Sequence, residues 1–277
     1  CRYVTIIHIF ITFFMCYFTS CVMRLIFSVF IFISTSLISC SNSYQQSQNL
    51  EIPINTIERA ENIYYRLGYT VSFNPELNIP NWVAWELNSS KLIERESRAG
   101  HFYPDPDIPR GIAVETGDYS NSGYDRGHMC PAADNKWDKQ AMRESFYMTN
   151  ICPQHHNLNR GDWKELEDDC RRWVEESGTI YIACGPILYK NDISYIGEER
   201  KIRVPNAFFK VILAGLDEGK PRAIGFIYKN ASGNNPLDHY VNSVDQVERI
   251  TGLDFFSQLP DDVENEIESN YNLNQWR

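Results

Sequence analysis

Residues 122–135 read SGYDRGHMCPAADN, and the fold turns on whether Asp125, Arg126 and His128 are ordinary surface residues or groups aimed at one ligand. Within four positions they supply a carboxylate, a forked cation and an imidazole that is neutral near pH 7. Gly127, between two of them, lets the backbone turn or approach a neighbour closely. A lone histidine in a strand is by default a satisfied core or surface group, so its company decides. That company comes downstream: TNICPQ at 149–154, then Asn157, Leu158 and Asn159, then Trp163 and Glu167.

Working outward, the pattern is that of a mixed domain. Residues 69–73 alternate like a strand, 82–87 read as a second, and apolar runs at 179–184, 208–214 and 223–228 read as further strands. Residues 159–177 have helical spacing, with Trp163, Leu166, Cys170, Trp173 and Val174 on one side and Gly178 as a stop. Residues 57–67 and 241–251 carry the same helical period. No internal repeat is visible. The spacing predicts one α+β domain over residues 55–260, preceded by a polar tether at 41–54 and followed by an acidic tail at 261–277.

The 277-residue chain is 43% hydrophobic and 13% aromatic, which suits a folded core and excludes a disordered class. Its formal charge is −10, and beyond residue 40 it holds 24 basic against 36 acidic side chains. Affinity for polyphosphate comes from Lys and Arg displacing counterions, so an acidic chain is a poor general binder of nucleic acid. Such a role requires a local basic cleft, a metal, or both.

Residues 3–39 hold two apolar runs around Met23 and Arg24. From Met23 they read as a secretory signal over 23–39: one positive charge, an apolar stretch, then small residues. The signal ends in Leu37, Ile38, Ser39 and Cys40, which resembles the lipobox of bacterial lipoproteins. The expectation is a leader over residues 1–40 and an exported protein, periplasmic or at the cell surface, held to a membrane through a lipidated Cys40. A membrane hairpin or a single anchor is the alternative, for which the runs are short. Export favours oxidised thiols, and Cys130, Cys152, Cys170 and Cys184 then allow two disulfides in three pairings.

The ordered set DRGH (125–128), TNICPQ (149–154) and LNRGDWKELE (158–167) resembles the DNA/RNA non-specific endonucleases with a ββα-metal site, the group of the Serratia nuclease and endonuclease G. The resemblance runs from about Tyr69 to Phe256 and takes in Arg98, Phe102, Asp105 and the Gly185-Pro186 turn. It implies a ββα-metal fold with a central, largely antiparallel sheet flanked by helices. It also implies hydrolysis of DNA and RNA, the substrates, to 5′-phosphate ends with little sequence preference. The implied cofactor is Mg²⁺, with Mn²⁺ as a substitute, held directly by Asn159 and completed by water. Glu167 would act through bridging water, and Asn150 would lie near the metal as an orienting group.

The residue types fit that chemistry on their own account. Phosphodiester hydrolysis needs a base for water and charge neutralisation at phosphorus; His128 offers the first, and Arg126 and Arg98 offer forked donors for the second. A hard cation keeps most of its waters, so one amide oxygen from Asn159 suffices as an anchor. On an unbroken helix Glu167 would share the face of Asn159 about 12 Å away, too far to ligate the same ion. Asp125 would fix the loop or a neighbouring donor. Cys130–Cys152, tying the two active-site segments, and Cys170–Cys184, tying the long helix to the following strand, are the expected disulfides.

Each assignment has a plainer rival. Asn159 also reads as a helix N-cap, Arg98 in ERESR as a solvated charge, and Trp163 and Trp173 as core rather than base-stacking platforms. His128, Cys130, Cys152, His155 and His156 offer zinc ligands, although their spacing matches no common zinc module. The competing functional reading is a lipid-anchored binding module, stabilised by zinc or disulfides, on an inactive nuclease fold. Against it, the expected residue type fills every catalytic position that can be placed. Oligomeric state is not legible.

Overall fold

The structure, a computed structural model, describes residues 49–276; the expected leader, Cys40 and residues 41–48 of the tether lie outside the described residues. In chain order the strands are β1 (Ile54–Asn55), β2 (Asn62–Tyr65), β3 (Thr70–Asn74), β4 (Ile79–Leu87), β5 (Asp125–His128), β6 (Ile151–Gln154), β7 (Ile180–Ile187), β8 (Tyr195–Ile196), β9 (Ile202–Arg203), β10 (Ala207–Ala214), β11 (Arg222–Lys229), β12 (Val241–Asn242) and β13 (Leu253–Asp254). The α-helices are α1 (Lys139–Ser145), α2 (His156–Arg160), α3 (Asp162–Ser177), α4 (Val244–Thr251) and α5 (Asp261–Ser269). Among the described residues no helix is long and apolar enough to cross a membrane.

Seven strands form one sheet in the order β12-β11-β10-β7-β4-β3-β2, every neighbouring pair antiparallel. Successive residues of a strand point to opposite faces, and the central strands bury both. On β10, Phe208, Lys210, Ile212 and Ala214 face the layer that contains α3, while Phe209, Val211 and Leu213 face the layer that contains α4. This explains the unbroken apolar run AFFKVILA, and it makes the lysine within it conspicuous. β5 and β6 stand apart as a two-stranded antiparallel pair, followed at once by α2 and α3.

The long helix is shorter and more broken than its spacing suggests. Asn159 lies in α2, and α3 begins only at Asp162, the two being separated by Gly161. Asn159 and Glu167 therefore occupy different helices and do not share the face expected of one unbroken helix. α3 buries Trp163, Leu166, Cys170, Trp173 and Val174, and it ends at Gly178, whose φ of +75° suits glycine. Both tryptophans are core: Trp163 packs on Phe208 and Tyr228, and Trp173 on Phe226 and Trp276.

Several other expectations need correction. Residues 57–67 form no helix; they contain β2, an edge strand paired with β3. Ile57, Ile63, Tyr65 and Leu67, which mimic an apolar stripe, are exposed. In 241–251 the helix starts at Val244, after the short strand β12. The folded body also passes the limits of 55–260. Leu50 is buried and β1 pairs with β13, while the acidic tail forms α5 and ends on a buried Trp276, whose carbonyl accepts the Trp173 indole N–H. Finally, Cys130, Cys152, Cys170 and Cys184 are all free buried thiols. Burial pushes each thiol up, Cys170 and Cys184 to about 12. Neither expected disulfide forms.

Candidate active site

β5 presents Arg126 and His128 on one side, two residues apart, as strand alternation requires. Gly127 between them is a matter of space: a Cβ there would lie 2.2 Å from Oε1 and 2.6 Å from Cβ of Gln154, which is fully buried on β6. In front of this unit opens a cleft of about 470 Å³, lined by five basic side chains (Arg98, Arg126, Arg160, Lys164 and Arg171) and two carboxylates, Asp125 and Glu167. The acidic chain thus carries a local basic cleft, with all the sequence-selected residues except Asn150 on its walls.

His128 is buried between Phe102 and Phe146, with ring centroids 5.2 and 4.8 Å away. Burial, assisted by the Arg98 charge, pushes its pKa down to about 3, so the imidazole is neutral at ordinary pH. Nε2 is enclosed without a hydrogen-bond partner, which leaves Nδ1 as the nitrogen that a base role would use. Arg98 lies over Phe146 at 5.2 Å; Arg126 lies over Phe102 at 5.6 Å and donates to the Thr116 carbonyl at 2.9 Å. Asn150 is fully buried, and its amide is committed to backbone. Oδ1 accepts the Cys130 N–H at 2.9 Å, while Nδ2 donates to the carbonyls of Cys130 and Ser145. It pins the segment just after His128 and does not face the cleft.

Asp125 joins the strand pair to α2. Its Oδ2 accepts from Asn159 Nδ2 at 2.9 Å and from Arg160 Nε at 3.3 Å, and its Oδ1 lies 3.2 Å from His156 Nδ1. Burial pulls its pKa up, but the bonds from Asn159, His156 and Arg160 outweigh that and hold it below the ordinary value. An ionised carboxylate only accepts, so the amide of Asn159 must turn its nitrogen to Asp125, which leaves Oδ1 as its free ligand atom. Asn159 caps neither helix: the cap residues are His155 for α2 and Gly161 for α3.

Glu167 lines the same cleft from α3. Burial raises its pKa to about 7, with Lys210 and Arg171 pulling it down and Asp134 and Asp168 pushing it up. Lys210 is fully buried, its Nζ 4.4 Å from the centre of the Trp163 ring and without a hydrogen bond. Burying an ammonium costs several kcal/mol, whereas a desolvated cation–π contact offsets only about 2 kcal/mol. The acidic groups around it complete the balance. Burial works to lower the Lys210 pKa, but the acidic groups around it, of which the Glu167 and Asp134 carboxylates can carry charge near neutral pH, hold it above its ordinary value. Asp134 in turn accepts from Arg171 at 2.7 Å and from the Trp85 indole at 3.1 Å.

The cleft offers amide and carboxylate oxygens and no thiol, a donor set that fits a hard cation such as Mg²⁺ or Mn²⁺. Zinc does not fit: among the described residues His128, Cys130, Cys152, His155 and His156 do not converge as ligands. Sequence reasoning missed Lys210, Arg171 and Lys164. A lysine within an otherwise apolar strand was the one signal for the first, and Arg171, one turn beyond Glu167, needed the fold.

A family model for DNA/RNA non-specific endonucleases matches residues 45–262. The mitochondrial Nuclease 1 of Schizosaccharomyces pombe is 37% identical over 210 residues, covering 70% of this chain and 65% of that protein. The mitochondrial nuclease EXOG of Danio rerio is 36% identical, covering 72% and 62%. The chain therefore spans a little under two thirds of the length of both. A nuclease of Nostoc sp. is 36% identical over 73% of this chain and 75% of its own length. The crystal structure of EndoG in complex with EndoGI matches 75% of this chain and 90% of that one, with a TM-score of 0.68 and 26% identity.

Proposed function

The chain belongs to the DNA/RNA non-specific endonuclease family, and from that premise we propose that it hydrolyses phosphodiester bonds of DNA and RNA, using His128 as base and a divalent cation at Asn159. One observation carries the reading. A histidine held neutral by burial and an asparagine oxygen set free by Asp125 open onto the same basic cleft.

Arg98 and Arg126 bind and orient the phosphate through their guanidinium groups. Nδ1 of His128 takes a proton from water as that water attacks phosphorus; the bond from phosphorus to O3′ breaks, and O3′ takes up a proton from solvent. The products are a 5′-phosphate and a 3′-hydroxyl. Mg²⁺, held by Asn159 directly and by Glu167 through water, would supply positive charge for the oxygens that become anionic. Phe102 and Phe146 keep the imidazole dry and neutral. Asp125 holds Asn159 to its amide orientation, and Asn150 fixes the backbone after His128.

The test is cleavage of supercoiled plasmid and of single-stranded RNA by the whole chain. Both substrates are expected to be cut at millimolar Mg²⁺, to survive in EDTA, and to be cut again when Mg²⁺ or Mn²⁺ is restored. Binding without cleavage in every metal would instead mark an inactive nuclease fold. Export and lipid attachment are proposed on residues 23–40 alone, since the free thiols withdraw the disulfide argument for an oxidising compartment.

Glu167 yields a second expectation. Its folded pKa, about 7, lies above the ordinary 4.5. A raised carboxyl contributes stability that is full below pH 4.5 and is lost as pH rises through 7. In EDTA, Glu167→Gln is therefore expected to melt above the wild type at pH 8, by on the order of 1–3 kcal/mol, with no difference near pH 4. The same variant should need more Mg²⁺ to cut. Melting curves at the two pH values, with a metal titration of activity, check both statements.

A further inference from the structure

On the face of the sheet away from the cleft, α4 and α5 bring Asp245, Glu248 and Glu268 together, with one oxygen of each within 4.8 Å of the others. Glu268 is only 4% exposed, and its Oε1 is a buried acceptor with no hydrogen-bond partner. Glu248 is partly committed, its Oε1 accepting the Phe255 N–H at 2.8 Å. The charges that act most strongly on Glu268 are all carboxylates: Glu248, Glu264, Asp245 and Asp254. A sealed, unpartnered oxygen among like charges has two remedies, a proton shared with a neighbour or a cation.

Among the described residues Oε1 of Glu268 has no donor, from backbone or side chain. We propose that Asp245, Glu248 and Glu268 form a divalent-cation site, best matched to Ca²⁺, that fastens α5 to α4. Ca²⁺ takes about six to eight oxygen ligands in flexible geometry, whereas Mg²⁺ demands a near-octahedral shell and keeps several waters. Three protein carboxylates with oxygens within 4.8 Å of one another therefore suit the larger ion better. The site does not depend on the nuclease reading, because it shares no residue with the cleft.

The experiment uses the whole chain stripped with EDTA, then titrated with CaCl₂ or MgCl₂ at pH 7.5 while the melting temperature is followed. Asn159→Ala serves as the background that removes the proposed catalytic ion. In wild type and in Asn159→Ala, Ca²⁺ at a hundredfold excess over its Kd is expected to raise the melting temperature by about 5–10 °C, with Mg²⁺ giving less. Glu268→Gln and, separately, the half-buried Asp245→Asn should lose most of that shift. The second variant carries the test if the first does not fold. No Ca²⁺ shift in Asn159→Ala, or a full shift in Asp245→Asn and Glu268→Gln, overturns the site. Stabilisation by acid alone, with Ca²⁺ inert, overturns it too and shows that the cluster holds protons.

Discussion

His128→Ala is expected to lower cleavage about 10²- to 10⁴-fold, the usual contribution of a general base, while nucleic acid still binds. The basic cleft walls, proposed to contact phosphate, are untouched by this change. The ring removed lies between Phe102 and Phe146, so the variant carries a cavity lined by aromatic faces and should melt somewhat earlier. That cavity gives the sharper test. Free imidazole has the shape to enter it and should restore part of the lost rate, which no purely structural role for His128 would allow. Residual activity above a few per cent of wild type, in a folded variant without added imidazole, would count against His128 as the base.

The direction of the pH effect also follows from burial. The folded pKa of about 3 lies below the ordinary 6.5. The histidine therefore contributes stability that is full above pH 6.5 and is lost as pH falls toward 3. Wild type should lose stability through that window more steeply than His128→Ala.

The second large effect belongs to Asn159. Asn159→Ala removes the only protein oxygen proposed to touch the cation and should reduce turnover more than a hundredfold, with little recovery at high Mn²⁺. Asp125→Ala leaves that oxygen in place but frees the amide to rotate, since the 2.9 Å bond from Nδ2 is lost. Removing an orienting partner of a metal ligand costs about 10- to 100-fold in affinity or activity, and here more metal should recover much of it. A helix cap would behave otherwise, because its loss costs about 0.5–2 kcal/mol of stability and leaves metal affinity alone. Mn²⁺ titrations of both variants, each with a melting curve, separate these outcomes. An Asn159→Ala protein that binds Mn²⁺ like wild type would remove this residue from the metal site.

The part of the site that was legible in the sequence is the part encoded locally. DRGH is four consecutive residues on one strand, so alternation alone sends Arg126 and His128 to one side. The break after Asn159 was hidden because a glycine costs a helix only about 1 kcal/mol, and an apolar stripe can run past it. In the fold, any side chain at Gly161 would press to 2.7 Å from the Asn157 carbonyl. The disulfide expectation failed because an even count of cysteines cannot tell paired sulfurs from four free thiols buried in one core cluster, which is what the fold holds. Lys210 was unreadable for a related reason: the Asp134 and Glu167 carboxylates that make its burial tolerable are supplied by the 132–135 turn and α3, far from it in sequence. The sheet itself was more legible, because β7, β10 and β11 are apolar runs that few other structures would accommodate.

The order in which the parts are synthesised has its own consequence. The cleft is lined by side chains from Arg98 to Arg171, but the groups that clamp α3 come later. Lys210 lies against Trp163, the Tyr240 hydroxyl bonds Asp162, and the Trp276 carbonyl receives the Trp173 indole. A ribosome therefore releases the reactive residues well before the braces that align them. While β10, β11 and Trp276 are still being added, the growing chain holds the whole reactive set without its frame. On the activity proposed toward RNA, this order of assembly would keep the chain from cutting its own messenger before β10, β11 and Trp276 are in place.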